Sequence, residues 1–275
     1  MPLTLGHISY LNCVPWFRQL EICGFSGKII GGVPSELNAL LARGEIDVSP
    51  SSSFEYGRSW RDYLLLPGHA IGSVGPVRSV LLFSSRPLSA LATEPILLTG
   101  ESATSVNLLK VLLAEYYNEP SLDLRLDPDG VEACLEAGGS ALLIGDRALQ
   151  LAQRYNDSAL IYDLGDLWYH HTSLPFVFAL WIVRRAVAAS EEGEEMLKML
   201  LRQLDVARER SFADLASLAA SCPEKSWMGE EGLIHYWRSM TYHLSPEHQQ
   251  GLALYFKLCV RHGLLSDEPQ LRFFA

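Results

Sequence analysis

The chain has 275 residues, enough for one large domain or two small lobes with an ample core. Hydrophobic residues make up 48% and charged residues 20%, the balance of a soluble globular protein. The formal net charge of −10 argues against a nucleic-acid or anionic-membrane surface, yet leaves room for a small anionic ligand held by local donors. Cys13, Cys23, Cys134, Cys222 and Cys259 are odd in number, scattered and without a CxxC pair, so they read as reduced thiols rather than a disulfide framework or zinc site. The first residues lack a charged region followed by a long apolar run, and no apolar stretch reaches membrane-spanning length. The expectation is a cytoplasmic protein.

In chain order, residues 3–8 read as a short strand, followed by the turn Ser9-Tyr-Leu-Asn12-Cys-Val-Pro15. Pro15 opens a helix that Gly24 ends. Residues 28–32 form a second strand, and Pro34 opens a helix through Arg43, closed by Gly44. Residues 46–48 form a third strand that ends on Ser49-Pro50-Ser51-Ser52-Ser53. Residues 64–66 are a further strand, and 70–74 and 77–84 are two longer ones around Gly75-Pro76. Residues 87–95, rich in Pro, Ser and Ala, mark a lobe boundary.

The next stretch, Gly100-Glu-Ser-Ala-Thr-Ser-Val-Asn-Leu-Leu-Lys110, follows an apolar strand at 96–98. Val106, Leu109, Leu113 and Tyr117 recur at helical spacing, which predicts a helix over 106–117. Ser102 is its N-cap, and Thr104 and Ser105 are first-turn residues. Such a turn offers backbone N–H groups, a partial positive charge and hydroxyl donors, a cradle for an anion without a phosphate-loop lysine. Ordinary capping explains the same residues equally well.

Strands follow at 122–126, 141–144 and 160–162, with helices at 131–137 and 147–155. Residues 174–183 are β-rich, and the last third is helical: 191–209, 212–220, and a helix capped by Ser245 with Pro246 at N1, ended by Gly263. Strands alternating with helices imply βαβ units and mainly parallel sheets. The expected architecture is two α/β lobes, residues 1–84 plus 180–275 as lobe I and 85–179 as lobe II. In such sheets ligands lie beyond the carboxyl ends of the strands. Four of those ends are small and polar: 9–12, 51–53, 100–105 and Gly145-Asp146. Drawn from both lobes, they are expected to converge on one cleft.

There is no Walker A sequence, no Rossmann glycine fingerprint, no HExxH and no GxSxG. His170-His171 invites a metal or acid/base reading, but adjacent residues rarely point to one site and no ligand set accompanies them. With Trp168 and Tyr169 they are read as a cleft-rim loop or an interlobe contact. Asn12 offers both a donor and an acceptor, yet it also suits a turn. Ser51 to Ser53 and Asp146 fit helix caps as well as ligand contacts.

Taken together, these segments resemble chorismate dehydratase of the futalosine route to menaquinone. The matching pieces are Ser9-Tyr-Leu-Asn12-x-x-Pro15, Gly32-x-Pro34-x-x-Leu37, Gly44-x-Ile-Asp47-Val with Ser52-Ser53-x-Glu55-Tyr56, and Gly75-x-Val-x-Ser79-Val. Then come Thr104-Ser105-x-x-Leu108-Leu109, Ile144-Gly145-Asp146-x-Ala148-Leu149, Leu174-Pro-Phe-Val-Phe-Ala-x-Trp181, and Tyr242-x-Leu244 through Gly251-Leu252. Order and spacing make the set specific over nearly the whole chain.

The resemblance implies a two-lobe, type II periplasmic-binding-protein-like α/β fold with mixed, mainly parallel sheets and a central cleft. It implies dehydration of the dianion chorismate to 3-[(1-carboxyvinyl)oxy]benzoate, with no metal or organic cofactor. Asn12 is assigned to the reacting end by that resemblance. Ser51, Ser52, Ser79, Ser102, Thr104, Ser105, Gly145 and Asp146 are the expected substrate-binding set. No histidine or glutamate is placed as base, so a substrate carboxylate is the candidate for that role. The related dihydroxynaphthoate synthase resembles the chain less, since it carries a histidine, followed by a glutamate, where this sequence has Asp146. A non-catalytic small-anion binding protein of the same fold is the alternative from another class.

Overall fold

Apolar strands alternating with helices build two α/β sheets, each in its own unit of chain. The computed structural model describes residues 2–119, 121–155 and 160–275. The first unit comprises Met1–Ile71, Ala179–Leu244 and Gln270–Ala275; the second comprises Gly72–Phe178 and Ser245–Pro269.

In the first unit β1 (Thr4–Ile8) leads through a 3-10 turn, Leu11–Cys13, into α1 (Val14–Leu20). β2 (Lys28–Gly32) feeds α2 (Pro34–Arg43), with Pro34 in the first turn and left-handed Gly44 at the end. β3 (Val48–Ser52) turns directly into α3 (Ser53–Ser59), and β4 (Tyr63–Ser73) carries the chain into the second unit. There β5 (Val80–Ser84) is followed by a 3-10 segment, Leu88–Thr93, then β6 (Ile96–Leu98), α4 (Ala103–Tyr116), β7 (Leu124–Leu126) and α5 (Val131–Glu136). β8 (Ser140–Ile144), α6 (Gly145–Tyr155), β9 (Leu160–Asp163) and α7 (Leu164–Thr172) complete that run. β10 (Phe176–Arg184) brings the chain back. α8 (Glu191–Ala213), α9 (Leu215–Ser221), α10 (Lys225–Met228) and α11 (Glu230–Ser239) follow in the first unit, and α12 (Pro246–Arg261) in the second.

The first sheet has the order β2-β1-β3-β10-β4. β1 runs parallel to β2 and β3, and β10 runs antiparallel to β3 with Ala179 opposite Ser52. The second sheet has the order β7-β6-β8-β5-β9, with β6 parallel to β7 and β8 and β5 antiparallel to β8 and β9. Within each sheet the carboxyl ends of the parallel strands therefore share one edge. Both sheets are mixed.

Aromatic packing supports each sheet. In the first unit Trp16 on α1 meets Trp181 on β10 and Tyr242 edge-on, at 5.5 and 5.0 Å between ring centres. In the second, Tyr255 on α12 packs edge-on against Phe176 at 5.0 Å and Trp168 at 6.2 Å. Five of these six rings, all but Tyr242, are at most 1% exposed, so each contributes roughly 1.5–3 kcal/mol of burial.

Several expectations change. The expected strand at 46–48 begins at Val48 and continues through Ser52, because pairing with β10 overrides the turn composition of Ser-Pro-Ser-Ser. The separate strands at 64–66 and 70–74 are one strand, β4. The expected rim loop at 168–171 is helix α7, capped by Asp163. The stretch at 87–95 holds a 3-10 segment inside the second unit, and the crossing falls at Ile71/Gly72 instead of near residue 85. The return crossing lies one residue from the expected position, and residues 245–269 belong to the second unit rather than to lobe I.

Candidate functional site

Asn12 sits in the 3-10 turn that leaves the carboxyl end of β1. Its Oδ1 is buried and makes no hydrogen bond among the described residues. The turn is fixed from elsewhere in the unit. Trp237 on α11 donates its indole N–H to the Leu11 carbonyl at 2.8 Å, and Ser211 on α8 donates its hydroxyl to the Pro15 carbonyl at 2.6 Å. Ser9 donates its N–H to Gly32 at the end of β2 at 3.1 Å, which joins two strand ends directly.

Ser51 and Ser52 lie at the matching end of β3. β1 and β3 run parallel, with Leu5 paired to Val48, so Ile8 and Ser52 end the two strands at the same end of the sheet. Ser51 is fully buried and its Oγ also lacks a partner among the described residues. Ser52 caps α3, its Oγ accepting the Glu55 N–H at 3.2 Å. The edge thus brings Asn12, Ser51 and Ser52 to one end of the first sheet, two of them with unspent buried hydrogen-bonding capacity. Buried polar atoms are nearly always satisfied, and exceptions point to an absent partner.

In the second unit the register places the remaining residues on one edge of its own sheet. Val80 faces Ile144, and Leu98 lies level with Leu142. Ser79 precedes β5, its hydroxyl pointing to the Val77 carbonyl at 3.4 Å, and its own carbonyl accepts the Gly145 N–H at 2.8 Å. Gly145 starts α6 with φ +63°, a backbone that only glycine adopts without strain. Asp146 follows as a first-turn acid inside the helix, rather than as its cap. Ser102 caps α4 as expected, accepting both the N–H and the hydroxyl of Ser105, at 3.2 and 3.0 Å. Ser105's N–H and hydroxyl both donate to Ser102, which leaves the α4 turn fewer open donors than its residue types alone suggest. Thr104 is fully buried, and its carbonyl accepts the Tyr255 hydroxyl at 3.3 Å.

Two groups were given no role by the sequence reading. Asp163, at the end of β9, gathers four backbone N–H groups: Val77 at 3.1 Å, Arg78 at 2.6 Å, Gly165 at 2.9 Å and Asp166 at 3.2 Å. Burial pushes its carboxyl upward against the pull of those four donors. An aspartate directly before an apolar helical run was a readable N-cap signal. The second is Glu55, buried in the first turn of α3. Burial raises its carboxyl, while Arg58 and the Tyr63 hydroxyl pull it down.

His171 of α7 stacks on Tyr116 at 4.3 Å and meets the Tyr117 hydroxyl at 3.0 Å, an aromatic packing role. Among the described residues no group of three or more His, Cys, Asp or Glu is placed to hold a metal ion. No helix among them is long and apolar enough to cross a membrane.

A family model described as menaquinone biosynthesis matches residues 3–261. The chain belongs to this menaquinone-biosynthesis family. Within the range of relatives, chorismate dehydratase of Thermus thermophilus is 34% identical over 269 residues, covering 92% of this chain and 94% of that protein. Among solved structures, the alkanesulfonate-binding protein SsuA from Xanthomonas axonopodis pv. citri superposes with a TM-score of 0.70 at 16% identity, covering 98% of this chain and 96% of that one. A Candida albicans protein described as exhibiting the generic periplasmic binding protein fold superposes with a TM-score of 0.64 at 10% identity, covering 97% and 92%. At these identities the solved structures establish the fold: this member of the menaquinone-biosynthesis family has the periplasmic-binding-protein-like α/β fold expected from its motifs.

Proposed function

We propose that this chain is a chorismate dehydratase, a hydro-lyase of menaquinone biosynthesis that works in the cytoplasm. The observation that carries the reading is the near full-length likeness to the Thermus thermophilus enzyme. The local chemistry supports it. Chorismate is a dianion, and loss of its C4 hydroxyl with the C3 hydrogen leaves an aromatic ring and one water. A reaction so strongly downhill needs orientation, donors for the charges and exclusion of water more than covalent machinery.

Asn12 is the proposed catalytic residue. Its amide NH₂ donates to a carboxylate or to the departing oxygen, and its Oδ1, without a partner among the described residues, accepts from the C4 hydroxyl before departure. Ser51 supplies a buried hydroxyl with no competing partner among the described residues. Each charge-assisted bond from such a donor contributes roughly 1.5–3 kcal/mol. Ser52, Ser79, Ser102, Thr104, Ser105, Gly145 and Asp146 are proposed as substrate-binding on the same chemistry, with Ser105 the weakest because its hydroxyl is already engaged.

Mass spectrometry and proton NMR on purified protein incubated with chorismate test the reading. The expected product has lost one water and gained aromatic ring protons. Chorismate bound but recovered unchanged would instead mark a binding protein, and turnover only of the later naphthoate-pathway substrate would mark the sister enzyme.

A further inference from the structure

We propose that Glu55 is a positioning residue for the dehydration, acting through Ser52 on Ser51 rather than on substrate. This rests on the assignment of Ser51 and Ser52 to the substrate site.

Glu55 occupies the third position of α3, a helix that begins directly where β3 ends. Its backbone N–H is the group that Ser52 Oγ accepts, at 3.2 Å. Its carboxylate accepts the Tyr63 hydroxyl from β4 at 3.4 Å and pairs with Arg58 one turn on. The side chain is 2% exposed while its charge partner Arg58 is 61% exposed. Burying a carboxylate against a largely solvated partner is a poor route to stability, since an apolar side chain of similar size would serve packing as well. What the carboxylate supplies is direction. Tied to β4 on one side and to the strand end through its own N–H on the other, Glu55 fixes the turn that aims Ser51 and Ser52. The following residue reinforces the same turn: the Tyr56 hydroxyl donates to the Gln270 carbonyl at 2.7 Å and accepts the Arg272 N–H at 2.8 Å. Arg58, Tyr63, Gln270 and Arg272 lie outside the proposed substrate-binding set.

A double-mutant cycle tests this. Steady-state kinetics with chorismate and denaturant melts are measured for wild type, Ser51→Ala, Glu55→Ala, Glu55→Gln, Tyr63→Phe, and each of the last three combined with Ser51→Ala. Glu55→Ala is expected to lower kcat/KM about tenfold, the scale of one lost charge-assisted hydrogen bond. Glu55→Gln, which keeps an acceptor for Tyr63, should recover most of that loss. In the Ser51→Ala background the effect of Glu55→Ala on kcat/KM should shrink below about twofold, while its effect on the melt persists unchanged. If Glu55→Ala does not fold, Tyr63→Phe carries the test, since it removes the donor and leaves Glu55 in place. An equal loss of kcat/KM in both backgrounds, or a lowered melt with normal kinetics, would overturn the inference while leaving the proposed activity intact. Normal kinetics for Ser51→Ala would overturn the site assignment and this inference together, and absence of turnover by wild type would overturn the activity itself.

Discussion

Trp237 and Leu11 are 226 residues apart in sequence and joined by a hydrogen bond of 2.8 Å, indole N–H to carbonyl, with both residues at most 1% exposed. The bond fixes the 3-10 turn that presents Asn12. Trp237→Phe keeps an aromatic ring there but removes the indole donor to the Leu11 carbonyl, which still accepts the Val14 N–H. The expected cost is about 0.5–1.5 kcal/mol of stability in a denaturant melt. Because the turn is the carrier of Asn12, kcat should also fall severalfold at a temperature where the variant stays folded. A variant with lowered stability and unaltered kcat would separate the turn from the reaction.

Ser51 makes an unusual prediction about stability. Its Oγ is buried and unpartnered among the described residues. Removing it in Ser51→Ala removes a desolvated polar atom, so the folded state should be unchanged or stabilised by up to about 1 kcal/mol. KM for chorismate should rise about tenfold, at 1.4 kcal/mol per tenfold. Thermal melts paired with steady-state kinetics read both halves. A destabilised variant with normal kinetics would show that the hydroxyl serves the fold.

His7 gives the pH dependence its sign. It stacks on Phe17 at 3.9 Å, and burial first, then the nearby charge of Arg18, lower its pKa from 6.5 to about 4. The unfolded chain therefore binds a proton at this residue between pH 6.5 and about 4 while the folded chain does not. The stability that His7 contributes is present above pH 6.5 and is lost as pH falls toward 4. His7→Phe keeps the stacking and removes the titration. The melting temperature of His7→Phe relative to wild type should therefore climb as pH drops through that window and level off below it. A difference that stays flat from pH 7 to 4 would contradict the burial of this ring.

Much of the architecture was legible because it rests on local signals. Pro34 and Gly44 bracket α2, Ser102 caps α4, and Ser245 with Pro246 opens α12, all as expected. What could not be read depended on tertiary partners. Ser49-Pro50-Ser51-Ser52 has the composition of a turn, and it is a strand because β10 pairs along it, with Trp181 opposite Pro50 and Leu180 opposite Ser51. The amphipathic pattern of α12 declares that one face is buried without saying against what; Tyr255 settles it by packing on Phe176 and Trp168. For the site, the strand-end rule picked out residues 9–12, 51–53, 100–105 and Gly145-Asp146; the sheets put Asn12 with Ser51 and Ser52 at one end of the first, and Ser102 to Ser105 and Gly145-Asp146, joined by Ser79, at one edge of the second. Periodicity carries no information on which hydroxyls are already spent. Ser105 looked like an open donor and gives both its donors to Ser102, while Ser51 looked like a cap and its hydroxyl makes no hydrogen bond among the described residues.

The most direct test of the central claim compares wild type, Asn12→Ala and Asn12→Asp with chorismate, following the aromatic product by ultraviolet absorbance and the fold by thermal melting. Asn12→Ala removes the donor and acceptor, and Asn12→Asp replaces the NH₂ donor with a negative charge that repels a dianion. Wild type should form the aromatic product, and both variants should stay folded with kcat reduced by roughly 100-fold or more, the scale of a lost preorganised donor. Turnover by wild type with normal kcat and KM in both variants would contradict the placement of the reaction at Asn12, and no aromatic product from wild type would contradict the dehydratase reading itself.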